Sequence, residues 1–291
     1  MGRTLLGKPV ALDVQEQIVS ETKKWKEKGI TPLLAVLMVE GDPASAAYAE
    51  AKRRVADRLG IAYTVERLPA GTGQEELEAR MEALSGRADV HGILLELPLP
   101  KGLQAEAVLA RLDPRKDVDG MTGASKLALL TGAPGLLPAT PQACIRLLKH
   151  YGYPLAGKHA VLIGRGATVG MPLLHLLLRE NATVTVCHSH TKDLAGPLCQ
   201  ADYVFVAAGR PGIVNKEMAH PRLVVIDAGI NEGPGGSIVG DAEPEVGEAV
   251  AAMTPTPGGV GTLTTVLLFS NLMKAMDLQL GRSEGGDRND E

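Results

Sequence analysis

"AVLIGRGATVGMPLLHLLL", residues 160–178, joins a short apolar run to an apolar helix pattern through a turn with glycines at 164, 166 and 170. Residues 159–163 have strand length and composition, and 168–179 have a helical period, so the stretch reads strand, tight turn, helix. Glycines in such a turn let backbone N–H groups approach a phosphate at the helix N-terminus, where the helix dipole favours an anion. The spacing G-x-G-x-x-x-G is one residue longer than G-x-G-x-x-G. On pattern alone the turn either cradles a dinucleotide or is a glycine-rich connection that binds nothing. The β-α-β unit of about 30 residues around it favours the dinucleotide.

The next strand, 182–187, helps choose between dinucleotides. An NAD site places an acidic residue about 20 positions on, to bond the ribose diol. Here no Asp or Glu occurs between Asn181 and Lys192, and the strand runs into His188-Ser189-His190. Arg165 within the turn and Ser189 at the strand end suit a ribose phosphate better than a diol. NADP is therefore the expected cofactor, the plainer alternative being a solvated arginine beside a capping serine.

Further outward, "DYVFVAA" and "LVVIDAG" continue the strands, and a helix from about Thr140-Pro141 to Tyr151 precedes them. The first half alternates in the same way. A helix capped by Asp13 runs to about Lys28, "LLAVLMV" is a buried strand, and Asp42-Pro43 opens a second helix. "AYTVERL" is a strand, "QEELEARMEALSG" a helix, "HGILLEL" a strand, and a short helix from Gln104 to Leu112 precedes the loop "DPRKDVDG". Strands alternating with helices imply mostly parallel sheets. The expected fold class is α/β with two domains, the second a Rossmann-type dinucleotide-binding domain over 139–262. Residues 1–138 plus the last apolar helix, 263–280, form the other. The charged, glycine-rich tail 281–291 is expected to be disordered.

Composition narrows the function classes. Thirty Lys and Arg against 34 Asp and Glu leave a net charge of −4, without the basic surface expected for nucleic acid. The longest apolar run, Leu33 to Val39, is too short to span a bilayer. The first residues lack a charged-then-apolar leader and Leu6 breaks an acylation pattern, so a cytoplasmic location is expected. Cys144, Cys187 and Cys199 contain no C-x-x-C spacing, and neither a disulfide framework nor a metal site is expected.

In "GDPASAAYAEAKRR" helical spacing puts Ser45, Tyr48 and Lys52 on one face. A phenol and an ammonium together can move a proton or polarise a nitrogen. Taken alone they read more readily as a solvated helix edge, since lysine is almost never buried. "GILLELPLP" and "KDVDG" both follow strand or loop ends, where open α/β sheets collect ligands; Asp117 and Asp119 equally suit turn formation.

Several separated motifs then occur in one order: "GDPASAAYAEAK", "GILLELPLPKGL", "PRKDVDG", "LPATPQA", "GRGATVGMP", "ATVTVCHSHT", "ADYVFVAAGRP", "VVIDAGIN", the Gly240-Asp241 pair and "TPTPGGVGTLT". Together they resemble the bifunctional methylenetetrahydrofolate dehydrogenase/methenyltetrahydrofolate cyclohydrolase family to about Leu280. The resemblance implies oxidation of a folate methylene group with NADP, hydrolysis of the methenyl product to formyltetrahydrofolate, a folate cleft between the two domains, and a homodimer. It implies catalytic roles for Lys52, Tyr48, Glu96 and Asp119. Folate contacts would come from these residues with Leu95, Leu97 and the loop Pro257, Gly258, Gly259, Val260 and Gly261. Gly164, Arg165, Gly166, Ser189 and Ile230 would hold the dinucleotide. Three positions depart from the family pattern: Gly166 for serine, Ala139 for cysteine, and Glu96 for a glutamine beside the lysine. A shikimate-type two-domain dehydrogenase and a non-catalytic NADP-binding regulator are the alternatives.

Overall fold

The computed structural model describes residues 2–280, so the expected disordered tail 281–291 lies outside the described residues. In chain order the elements are β1 (Arg3–Thr4), α1 (Gly7–Glu27), β2 (Leu33–Val39), α2 (Pro43–Leu59), β3 (Ala62–Leu68), α3 (Gln74–Gly86) and β4 (Gly92–Leu95). There follow α4 (Ala105–Leu109), α5 (Gly123–Thr131), α6 (Ala139–His150), β5 (His159–Ile163), α7 (Gly170–Arg179), β6 (Thr183–Cys187), α8 (Ala195–Cys199) and β7 (Tyr203–Val206). The last are β8 (Val224–Asp227), β9 (Asn231–Glu232), β10 (Ile238–Val239), β11 (Ala252–Met253) and α9 (Val260–Leu280).

The described residues divide into two compact units, one of 2–14, 129–132 and 138–267, the other of 15–128, 133–137 and 268–280. The first is a six-stranded sheet in the order β1-β11-β8-β7-β5-β6, with every neighbouring pair parallel. Its central strands β5, β7 and β8 are near-continuous apolar runs, as strands covered on both faces require, whereas the edge strand β6 alternates Thr and Val. Val161, Ile163, Val204, Val206 and Val225 share one buried cluster with Leu198 and Leu223. β9 and β10 form a separate antiparallel pair.

The second unit is built on the parallel sheet β3-β2-β4. Its middle strand, the apolar run 33–39, is buried from Leu34 onward. Leu77, Met81 and Leu84 of α3 pack with Leu37, Val39, Ile93 and Leu95 in one cluster, which is why the 3.6-residue period of α3 shows in the sequence.

The division differs from the expected one at both ends of the chain and at 129–132, which group with 138–267. The amino-terminal residues group with 138–267, because Arg3 and Thr4 pair with Ala252 and Met253 and Leu5 N donates to Met253 O at 2.8 Å. A two-residue strand has no periodicity to read. The division at the other end falls after Leu267, inside α9, which itself begins at Val260. Helix α1 also starts earlier than expected. Gly7 N donates to Gly258 O at 2.8 Å, Pro9 suits a first turn, and Asp13 is left inside the helix with its carboxylate 3.3 Å from His150 Nδ1. Helix α5 had no reading in the sequence.

Candidate active site

In the second unit the expected catalytic side chains come from three elements around the carboxyl ends of β2 and β4. Helix α2 opens as expected: Asp42 accepts from Ser45 N at 3.2 Å and Ser45 Oγ at 2.8 Å. Ser45 is thus spent on the cap and buried, leaving Tyr48 and Lys52 as the pair on that helix. Tyr48 is 52% exposed. Tyr63 Oη of β3 donates to Ala49 O at 3.0 Å, tying the turn between Tyr48 and Lys52 to the sheet.

Glu96 follows β4 directly, and its N–H donates to Leu37 O at 2.9 Å, so the sheet ladder itself fixes its backbone. Its carboxylate, 6% exposed, accepts from Lys52 Nζ at 2.7 Å through Oε1 and 2.8 Å through Oε2. Charge-assisted bonds of that length are the strong ones.

Asp117 and Asp119 part company. Asp117 is buried and accepts from Met121 N (3.0 Å), Thr122 N (2.7 Å) and Ser125 Oγ (2.7 Å), capping α5. It is the turn-former. Asp119 accepts no hydrogen bond among the described residues. Burial, then the charge of Asp117, pushes its carboxyl up to about 7; Lys52 pulls the other way and Glu96 adds to the rise. A partly buried carboxyl without a donor, in the fields of Lys52 and Glu96, is equipped to take N–H donors from a ligand.

In the first unit the glycine turn lines a cavity of about 400 Å³ together with Arg165, His188, Ser189, Thr191, Leu194, Ala208, Arg210 and Ile213. Two of the three glycines are forced by packing. A Cβ on Gly164 would lie 2.1 Å from Ala207 O, and one on Gly170 would lie 2.4 Å from Gly164 O. Nothing lies within 4 Å of the corresponding point on Gly166, so the serine of the family pattern would fit there. The longer spacing follows: the third glycine is the first residue of α7, pressed against the turn.

The structure therefore gathers Tyr48, Lys52, Glu96 and Asp119 in one unit and Gly164, Arg165, Gly166 and Ser189 around the cavity of the other. Ile230, 60% exposed, is not in that cavity wall; it stands near Gly261. Leu95 is in the core, leaving only its backbone for a ligand, while Leu97 is partly buried against that core. In the loop 257–261, Pro257 and Gly261 are exposed and Gly259 and Val260 are buried. Arg210 went unread in the sequence; "AAGRP" directly after a strand was its signal.

Sheet and cavity define a class: a dinucleotide-dependent enzyme of two α/β units. Residues 5–119 match the tetrahydrofolate dehydrogenase/cyclohydrolase catalytic domain, and 138–280 match the NAD(P)-binding domain of the same name. Bifunctional protein FolD 2 of Desulfitobacterium hafniense is 47% identical over 98% of this chain and 100% of its own. The crystal structure of the Campylobacter jejuni bifunctional enzyme FolD superposes with a TM-score of 0.93 at 37% identity, covering 96% of this chain and 100% of that one. The Trypanosoma brucei enzyme, complexed with NADP cofactor and inhibitor, gives 0.91 at 32%, covering 96% and 99%. The chain belongs to the tetrahydrofolate dehydrogenase/cyclohydrolase family. It is a bifunctional, NADP-dependent enzyme of folate one-carbon chemistry. Shikimate dehydrogenase of Aquifex aeolicus, at 14% identity and a TM-score of 0.51, shares the fold alone.

Proposed function

We propose that one set of side chains in the 15–128 segment serves both reactions: oxidation of methylenetetrahydrofolate to methenyltetrahydrofolate, and its hydrolysis to formyltetrahydrofolate. The bidentate pair of Lys52 with Glu96 carries this reading. NADP, when bound, supplies the hydride acceptor. The residues that would hold it are the turn Gly164-Arg165-Gly166, where the Gly164 N–H is already bonded to Cys187 O and the N–H groups of Arg165 and Gly166 are left for a phosphate, with Arg165 and Ser189 for the ribose phosphate. The lining supports this: neither Arg165 nor Arg210 has an ion-pair partner among the described residues, and no carboxylate lines the cavity.

Hydride transfer asks the protein for orientation and dryness more than for an acid or base. Asp119 supplies orientation by accepting N–H donors of the pterin, and Tyr48 supplies it from the exposed face of α2. Leu97, packed on the core of the same unit, adds apolar surface. Hydrolysis asks for more. Water adds to the cationic methenyl carbon, one ring C–N bond breaks, and a proton must leave the water and another reach the released nitrogen. Lys52 is the group that moves protons here. Glu96 decides how readily it does so, since both its carboxylate oxygens hold the lysine Nζ by short charge-assisted bonds.

The chain is further read as a homodimer that binds neither nucleic acid nor membrane and works in the cytoplasm. A net charge of −4 supports the second point, and among the described residues no helix is long and apolar enough to cross a membrane. Sedimentation at micromolar concentration checks the dimer; a monomer contradicts it. The activity reading is tested by incubating the purified chain with methylenetetrahydrofolate and either NADP or NAD. Faster turnover with NADP, with formyltetrahydrofolate accumulating, is expected. No turnover of the folate, or turnover of shikimate instead, overturns the reading.

A further inference from the structure

Asp241 is fully buried, and no cation approaches it among the described residues. Its Oδ2 accepts from Ala208 N and Gly209 N at 2.6 and 2.9 Å, and its Oδ1 from Arg210 N and Asn231 Nδ2, both at 2.8 Å. Three successive backbone N–H groups of the loop after β7 are thereby pinned by one carboxylate. Loops of this kind are ordinarily the mobile part of an α/β sheet. Fixing one this firmly makes sense where the side chain it carries must stand in one place.

That side chain is Arg210. It is exposed, has no hydrogen bond or ion-pair partner for its guanidinium among the described residues, and lines the cavity that Arg165 also lines. The glycine turn ends β5, with β6 on one side and β7 on the other. Ser189, beyond β6, and Arg210, beyond β7, therefore flank the turn that carries Arg165. One unpaired surface arginine means little. Two in the wall of one cavity, with hydroxyls and no carboxylate, form a seat for an anion with more than one charge.

We propose that Arg210 is a specificity-determining residue for NADP, supplying with Arg165 the second positive charge that the 2′-phosphate dianion requires. The pyrophosphate would have its own donors, the N–H groups of Arg165 and Gly166 and the N-terminus of α7, the Gly164 N–H being bonded to Cys187 O. The 2′-phosphate carries nearly two charges at neutral pH, as phosphate monoesters do. At Gly166 no side chain is present to assist, so a second guanidinium is the available counter-charge. The inference rests on the placing of the dinucleotide in this cavity.

The test is equilibrium binding of NADP and of NAD to the unaltered chain, R210A and R210K. R210A keeps the backbone N–H that Asp241 holds, and its thermal midpoint should stay close to that of the parent. NADP affinity should fall about tenfold or more, as loss of a charge-assisted contact implies. NAD affinity should change less than about twofold, and the salt dependence of NADP binding should weaken; R210K should lie between. Equal losses for NADP and NAD would place Arg210 on the pyrophosphate or base and overturn the inference, as would unchanged NADP affinity. If the unaltered chain bound neither dinucleotide, the placing of the cofactor itself would fail instead.

Discussion

Lys52 and Glu96 meet head on, the ammonium donating to both carboxylate oxygens at 2.7 and 2.8 Å from positions 18% and 6% exposed. The family pattern places glutamine opposite the lysine, and a glutamine can accept only through its oxygen while its NH₂ faces away. In this chain the lysine is instead a clamped cation. On the proposed division of labour, the clamp works against proton transfer and so bears on the hydrolytic step more than on the hydride step.

Lys52→Met keeps the stem and removes the proton carrier. Cyclohydrolase activity should fall on the order of 10²-fold or more, with dehydrogenase activity still measurable. The variant also leaves the carboxylate of Glu96 buried without its partner, a destabilising state. The double variant K52M/E96Q should therefore melt higher than K52M. Both activities falling together with folate binding intact would contradict the division of labour. A double variant no more stable than K52M would show that the pair is not coupled.

Arg165→Ala should weaken NADP binding by about 1.5–3 kcal/mol, the range for a charge-assisted hydrogen bond, and leave NAD nearly unchanged. Competition binding measures both. Equal loss for the two cofactors would remove Arg165 from the 2′-phosphate.

Asp119 gives a pH dependence with a definite sign. Its folded carboxyl stands at about 7 against an ordinary 3.8. Between those values the folded chain holds a proton that the unfolded chain has lost, so stability falls as pH rises through that window and levels off above it. Asp119→Asn lacks this loss. Without ligand, it should gain on the parent from pH about 4 to 7 and stay more stable above, by on the order of 1–3 kcal/mol. Parallel denaturation curves at pH 5 and pH 8 would contradict this. Folate affinity should fall in the same variant, since an amide presents one acceptor oxygen where the carboxylate presents two.

Much of the fold was legible where one element carries its own signal. β3, α3 and β5 begin and end where period and punctuation place them. β1 and β11, two residues each, exist only through their pairing, and the start of α1 is set by a carbonyl some 250 residues away, Gly258 O. The cap of α5 is a carboxylate six residues before the helix, reaching back through a turn that no local motif marks. At the site, Tyr48 and Lys52 were readable as an i,i+4 pair. Glu96, 44 residues from Lys52, became its partner only through the sheet, once β4 pairs with β2. Asp117 and Asp119 looked alike in sequence; hydrogen bonding separates them.

The most direct measurement is the ratio of cyclohydrolase to dehydrogenase activity for Glu96→Gln against the parent. An amide in place of the carboxylate removes the charge-assisted double acceptor that clamps Lys52 Nζ and leaves it one neutral acceptor. Cyclohydrolase activity should rise severalfold, while dehydrogenase activity stays close to that of the parent. An unchanged ratio, with both activities merely scaled by a common factor, would contradict the claim that Glu96 restrains Lys52.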